Sequence, residues 1–396
     1  MNQTSIAIVV PELLPVPPVQ GGAVEHWVDE ASVRMAGERR ITVVSRPAGD
    51  AARPGVAYIG IPWTPLEQYF HRIKERVTWR HPLRYLAKIQ NVYSYGRRVA
   101  AAVAPFDVVY LHNEPNILLF LRRRPGQKIV LHMHNDHLSM KMFRWFYRRA
   151  LAKADVVLCV SDYIRRQAVA QFPEHAARFQ VLFNSTDPEV FQPYPAAAAQ
   201  LDGLLQLDPA RRYLLYVGRL NPVKGVHVLI EAFAEIHRRH PDVRLIITGS
   251  SFFGGAARTD YERQLEALAK PINHAIIFTG FLPHEKLRYL YAAVDMIVLP
   301  SVWQDPCPLV VLEAMASGTL LVSSAVGGIP EVMEHQVNGL LVAPNDPAAL
   351  ADAVCGALAA PADSAAMAAA ARAKIVRGYT WQRLVNELTA TFDGLK

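Results

Sequence analysis

At 396 residues, 51% of them apolar and with Gly plus Pro near average, the chain is too long for one ordinary core and suits two α/β domains, which excludes collagen-like, low-complexity and largely disordered architectures. The net charge of +7 is concentrated, because residues 70–150 hold sixteen Lys or Arg against four acids and leave the remainder net acidic. Three scattered cysteines, Cys159, Cys307 and Cys355, have neither disulfide nor metal-ligand spacing, so a disulfide framework is excluded and a reducing cytoplasm is the expected compartment.

The chain opens on an apolar run, residues 5–10, that stops at Pro11. With no basic segment before it and no small-residue cleavage site after it, the run reads as a buried strand rather than a signal peptide. Strand-like runs follow at 40–45, 56–59, 108–111, 128–132, 156–160 and 180–182, with helical stretches between them such as 23–36 and 83–102. Prolines and an alanine tract between 185 and 211 then interrupt the pattern. A second series of strands, 213–217, 244–248, 276–279, 296–299, 320–323 and 339–342, alternates with helices in the same way. An Ala-rich surface helix at 361–373 and an amphipathic one at 381–392 close the chain. Alternation of this kind predicts parallel sheets covered by helices, twice over, and no segment approaches the roughly 18 uninterrupted apolar residues that span a bilayer.

The basic block interleaves its cations with Trp79, Tyr85, Tyr93, Trp145 and Phe146 among other aromatics. It reads as a solvated basic surface over buried aromatics, or as a contact for anionic lipid or a lipid-linked acceptor. A nucleic-acid partner is not expected.

Open parallel sheets bind ligands beyond the C-terminal ends of their strands, so the residues just after each strand carry the chemistry. Gly21-Gly22 opens the helix that follows the first strand, and such a helix start suits a phosphate. It is not the G-x-G-x-x-G of dinucleotide enzymes, which disfavours nicotinamide chemistry. After strand 213–217 comes Gly218-Arg219-Leu220-Asn221-Pro222-Val223-Lys224-Gly225. Arg219 offers a bidentate fork and Lys224 a mobile point charge, and two cations there can hold a departing diphosphate in place of a metal ion. After strand 296–299 the run Asp305-Pro306-Cys307-Pro308-Leu309-Val310-Val311-Leu312-Glu313 enters a helix beyond Pro308. One acid then stands in the loop and the other about a turn into the helix, expected to point the same way, where each can accept from vicinal hydroxyls while the helix start holds phosphate.

Together these runs resemble the retaining glycosyltransferases of the GT-B fold, specifically the group 1 or GT4 family with its E-x7-E acid pair. The resemblance extends to Gly249, Gly280-Phe281-Leu282, Gly327-Gly328-Ile329-Pro330-Glu331 and Asn338-Gly339-Leu340. It implies two Rossmann-like domains facing across a cleft: an acceptor domain over 1–190, joined by the returning helix at 380–396, and a nucleotide-sugar domain over 205–375. It implies that Arg219 and Lys224 bind the donor diphosphate with help from the backbone at Gly21, Gly22, Leu309 and Val310. Glu313 would hold the ribose, Phe281 and Leu282 would border the base, and Asp305 and His134 would contact the sugar. The implied reaction is metal-independent hexosyl transfer from a nucleoside diphosphate sugar, UDP-hexose favoured, to a glycan, lipid-linked or small-molecule acceptor. No cofactor is expected, and the expected place is the cytoplasm, with peripheral contact at the inner face of the membrane. Asp305 where the family usually has Glu, and Pro308 where it usually has Gly, alter the sugar pocket and keep a non-catalytic nucleotide- or glycan-binding assembly protein as an alternative.

A rival pattern is His132-Met133-His134-Asn135-Asp136-His137, an H-x-H-x-D-H run that resembles the zinc ligands of the metallo-β-lactamase fold. That fold needs further ligands after antiparallel strands, whereas the downstream chain here reads as βα units. In the transferase reading His132 and His134 leave one side of their strand, His132 buried and satisfied, and Asp136 or His137 meets the acceptor.

Overall fold

The computed structural model describes residues 3–19, 22–49, 51–76, 82–139, 143–250 and 259–395. Gly21, and Trp79, Arg80 and Lys141 of the basic block, lie outside the described residues. The chain divides into two compact units, Met1–Leu182 with Val385–Lys396, and Phe183–Leu384.

The first unit is built on strands β1 (Ser5–Val9), β2 (Arg40–Ser45), β3 (Val56–Gly60), β4 (Val108–His112), β5 (Lys128–Met133), β6 (Val156–Cys159) and β7 (Phe179–Val181). They form a parallel sheet in the order β3-β2-β1-β4-β5-β6-β7. Chain order reverses between β1 and β4, and a ligand crevice is expected beyond the strand ends there. The central strands are continuous apolar runs because helices cover both faces, and Ile6, Ala7, Ile8 and Val9 are fully buried. The helices are α1 (Ala23–Met35), α2 (Pro65–Arg76), α3 (Pro82–Ala102), α4 (Arg144–Leu151) and α5 (Asp162–Gln171).

Helix α2 is not marked by the apolar pattern, since its sequence PLEQYFHRIKER is strongly polar. An ion network holds it instead. The buried Glu67 carboxylate pairs with Arg46 at 3.2 Å and Arg98 at 2.6 Å and accepts from the Thr64 N–H at 3.0 Å. Arg46 is itself buried, donates to the carbonyls of Glu12, Ile61 and Pro62, and lies over the rings of Trp63 and Tyr95. Burying such charges is tolerated only because each one is paired and hydrogen-bonded.

The second unit carries β8 (Arg212–Val217), β9 (Val243–Thr248), β10 (Ile276–Gly280), β11 (Met296–Leu299), β12 (Leu320–Ser324) and β13 (Leu340–Val342). The order is β10-β9-β8-β11-β12-β13, again parallel, with its reversal between β8 and β11. Its helices are α6 (Val226–Arg239), α7 (Asp260–Ala269), α8 (His284–Ala293), α9 (Leu309–Ala316), α10 (Ile329–Val332), α11 (Pro347–Ala359) and α12 (Pro361–Gly378). Helix α13 (Trp381–Gly394) starts in this unit and ends in the first. There Phe392 meets the Tyr110 ring at 5.4 Å and Asp393 pairs with Arg39 at 3.0 Å. Among the described residues no single helix is long and apolar enough to cross a membrane.

Every expected strand is present to within a residue or so, and two doubly wound α/β sheets result, as the alternation predicts. Strand ends differ by at most one residue, within the margin of any boundary assignment, whereas helix α12 runs five residues beyond its expected end at 373.

Candidate active site

In the second unit the loops after β8, β9 and β10 close on one another through glycines. Gly249 has φ +132°, and a Cβ there would meet the Gly218 carbonyl oxygen at 1.9 Å, so no side chain fits. Val217, Gly218, Arg219, Thr248, Gly249, Ser250, Phe281, Leu282 and Leu287 line a cavity of 160 Å³. Arg219, Phe281 and Leu282, proposed separately from sequence, are thus brought to one cavity. Arg219 is exposed and makes no ion pair among the described residues.

Lys224 reaches its place by a turn that the sequence encodes. The Asn221 side chain accepts from the Lys224 N–H at 3.2 Å, and Gly225, at φ +71°, then starts α6. A Cβ on Gly225 would meet the Pro300 carbonyl oxygen at 1.9 Å, so the loops after β8 and β11 touch at the reversal point of the sheet. Across that contact the Lys224 ammonium forms an ion pair with the buried Asp305 carboxylate. The Asp305 loop is held from behind by its own carbonyl, which accepts from the Gly328 N–H at 2.8 Å, and by Gln304, which accepts from the Gly327 N–H at 2.8 Å. A Cβ on Gly327, at φ +55°, would meet the Asp305 carbonyl oxygen at 1.9 Å, so no side chain fits at that position.

Helix α9 begins just after Pro308, as expected, and Leu309 and Val310 supply the first-turn N–H groups that precede intrahelical bonding. Glu313 is buried one turn further on and accepts from the Tyr291 hydroxyl at 3.0 Å, with His284 Nε2 at 3.1 Å. Burial and the neighbouring Glu313 push the Tyr291 hydroxyl well above the usual tyrosine range, so it stays a donor. The two acids have different neighbours: Asp305 pairs with Lys224, whereas Glu313 faces Tyr291 and His284. Sequence reasoning missed both of these partners and Ser250. The pocket residue has a readable signal, its place just after β9; His284 and Tyr291 lie on α8 and carry none.

In the first unit Gly22 caps α1 at φ +110°, a conformation reserved for glycine. His112, His132 and His134 gather at the C-terminal ends of β4 and β5 beside Trp27 of α1, whose ring lies 5.0–5.4 Å from each of theirs. His112 Nδ1 and His134 Nε2 are 2.8 Å apart, and Tyr110 Oη is 2.7 Å from His132 Nδ1. The His134 N–H donates to Asn113 Oδ1 at 2.7 Å. Burial holds all three imidazoles neutral, with His134 pulled down to about 3. Two departures from expectation stand out. His132 is buried but not satisfied, since its Nε2 has no hydrogen-bond partner. The third member of the cluster is His112 from the neighbouring strand, and Asp136 and His137 of the H-x-H-x-D-H run stand outside it among the described residues.

Two family models match the chain: "Glycosyl transferases group 1" over residues 204–374 and "Glycosyltransferase Family 4" over residues 21–190. YtcC of Bacillus subtilis (strain 168), named as a glycosyltransferase, is 28% identical over 88% of this chain and 82% of its own length. Spore coat protein SA of the same organism is 26% identical over 98% of this chain and 99% of its own. Among solved structures, Anabaena HepE in complex with UDP superposes with a TM-score of 0.78 at 19% identity, covering 99% of this chain and all of that one.

Proposed function

The chain belongs to the group 1 glycosyltransferases of GT4 type with a GT-B fold, and from that premise we propose the reaction it carries out. A hexosyl unit passes from a nucleoside diphosphate sugar, a UDP-hexose in the first instance, to a hydroxyl of a glycan, lipid-linked or small-molecule acceptor. Anomeric configuration is retained. The observation that carries this reading is the meeting of the Arg219 and Lys224 loop with the base-sized cavity and the acid loop at the reversal point of the second sheet.

In this reading the base lies against Phe281 and Leu282, and the ribose hydroxyls are held by Glu313. The diphosphate rests on the N–H groups of Leu309 and Val310 and takes Arg219 and Lys224 on its oxygens. The bond from the anomeric carbon to the donor phosphate oxygen breaks, and its electron pair leaves with the diphosphate. The acceptor oxygen bonds to the same face of that carbon, and its proton passes to a donor phosphate oxygen. Asp305 holds the sugar, and His134 keeps the sugar contact that the family resemblance implies for it. The two cations neutralise the leaving group, so this step needs no divalent metal. Peripheral membrane contact is supported by α4, which exposes Trp145 and Phe146 and lays Arg149 4.3 Å over the Trp145 ring.

The test is a screen of UDP-hexoses against saccharide acceptors in EDTA, with the new anomeric proton read by NMR. An α-linked product from an α-linked donor supports the reading; an inverted product, or turnover abolished by EDTA, contradicts it. The coat-protein relative and the mutual pairing of Lys224 with Asp305 favour a second reading, a non-catalytic assembly protein, which UDP binding without turnover for any donor would support.

A further inference from the structure

The transfer chemistry uses one edge of one ring in the histidine cluster and leaves the rest unexplained. His132 and His134 stand two apart at the end of β5, so their rings leave the same face, and His112 is the register partner of His132 on β4. One ring nitrogen of each lies within 4.8 Å of the others. We infer that His112, His132 and His134 form a three-imidazole site for a single zinc-class divalent ion, with water in the fourth position.

The ligand atoms are the ring nitrogens that face one another, and His112 Nε2, which points away from His134, is buried and unpartnered as well. Tyr110 Oη takes Nδ1 of His132 at 2.7 Å and leaves Nε2 as the coordinating edge, and that Nε2 is buried and unpartnered. A buried polar atom left so is destabilising, and a metal bond removes that cost. His112 Nδ1 and His134 Nε2 already face each other at 2.8 Å. A tetrahedral ion with bonds of about 2.0–2.1 Å sets its ligand atoms about 3.3 Å apart, so these two rings part by about half an ångström to admit it. Neutral imidazoles are the ligand type that zinc and its neighbours prefer. An outer partner fixing the ligand tautomer, here Tyr110, is the usual companion of such a site. His134 is half-buried and opens the cluster to solvent, while His112 and His132 are closed in under Trp27. Coordination through Nε2 leaves the Nδ1 edge of His134 for the sugar contact proposed above. The ligand set differs from the H-x-H-x-D-H pattern, because its third member comes from β4.

The full-length protein, stripped with a chelator and dialysed, is titrated with Zn²⁺ by calorimetry and with Co²⁺ by visible absorption. One equivalent of zinc is expected, together with the intense absorption of tetrahedral cobalt. His112→Gln and His134→Gln should weaken zinc more than the roughly ten- to hundredfold that loss of an outer partner costs. Tyr110→Phe, which keeps the ring and its packing, should fall within that range, and His137→Ala should bind as the parent does. Far-UV circular dichroism reports that each variant is folded. Absence of zinc uptake by the parent protein overturns the inference, as does uptake that the cluster substitutions leave unchanged or that His137→Ala removes. The readout involves no donor, so failure here leaves the transferase reading standing, and failure of that reading leaves the zinc titration unaffected.

Discussion

Lys224 and Asp305 neutralise one another in this structure, so in the proposed reaction a donor diphosphate has to compete with Asp305 for the ammonium. Two opposite effects follow from one substitution. Asp305→Asn frees Lys224, so UDP should bind about two- to fivefold tighter, the scale of a partly exposed ion pair. The same change removes a carboxylate from the sugar, so transfer should fall by about a hundredfold or more. Calorimetry against turnover on that one variant checks both arms, and a loss of UDP affinity would show that Asp305 organises the phosphate site. At this scale the sequence was informative about residue type and place. Arg219, Lys224, Asp305 and Glu313 were legible because each follows a strand in a recognisable run. Their partners were not, because the Lys224 to Asp305 pair spans 81 positions and Tyr291 reaches Glu313 from another helix.

Elements are fixed here by two different means, and only one of them can be read from hydrophobic pattern. The strands declare themselves as apolar runs. Helix α2 does not, because it is held by Glu67 between Arg46 and Arg98. Glu67→Ala leaves both guanidinium groups without their carboxylate, one of them fully buried, and should cost about 3–5 kcal/mol in denaturant unfolding. A loss below about 1 kcal/mol would mean that packing alone seats α2. Glycines set the loops of the second unit in the same non-hydrophobic way. Gly225→Ala combines a left-handed backbone with a collision against the Pro300 carbonyl, so it should destabilise by more than about 2 kcal/mol and weaken UDP binding together, because the turn that delivers Lys224 shifts.

For the whole molecule, the two units are expected to respond differently to acid. His112, His132 and His134 are held neutral by burial in the folded first unit, whereas the unfolded chain protonates them near the ordinary value of 6.5. The unfolded state therefore binds more protons below that value, and stability contributed by the cluster is present above it and lost as pH falls toward about 3, the value for His134. His134 alone should account for roughly 2 kcal/mol between pH 7.5 and pH 5. Urea unfolding in EDTA at the two pH values, followed through Trp27 and its neighbours, should show the first unit weakening, and replacing His134 by Gln should flatten that dependence. The doubling of the α/β pattern was legible from the alternation of strands and helices, but the histidine cluster was not, because one member sits twenty residues upstream on a neighbouring strand.

Calorimetric titration of the full-length protein with UDP, GDP and ADP in EDTA, repeated on Lys224→Ala, tests the donor site most directly. The account predicts binding of one nucleotide, UDP in the first instance, unaffected by the chelator and weakened about ten- to a hundredfold in the variant. Binding of none of the three, or binding that Lys224→Ala leaves unchanged, would contradict it.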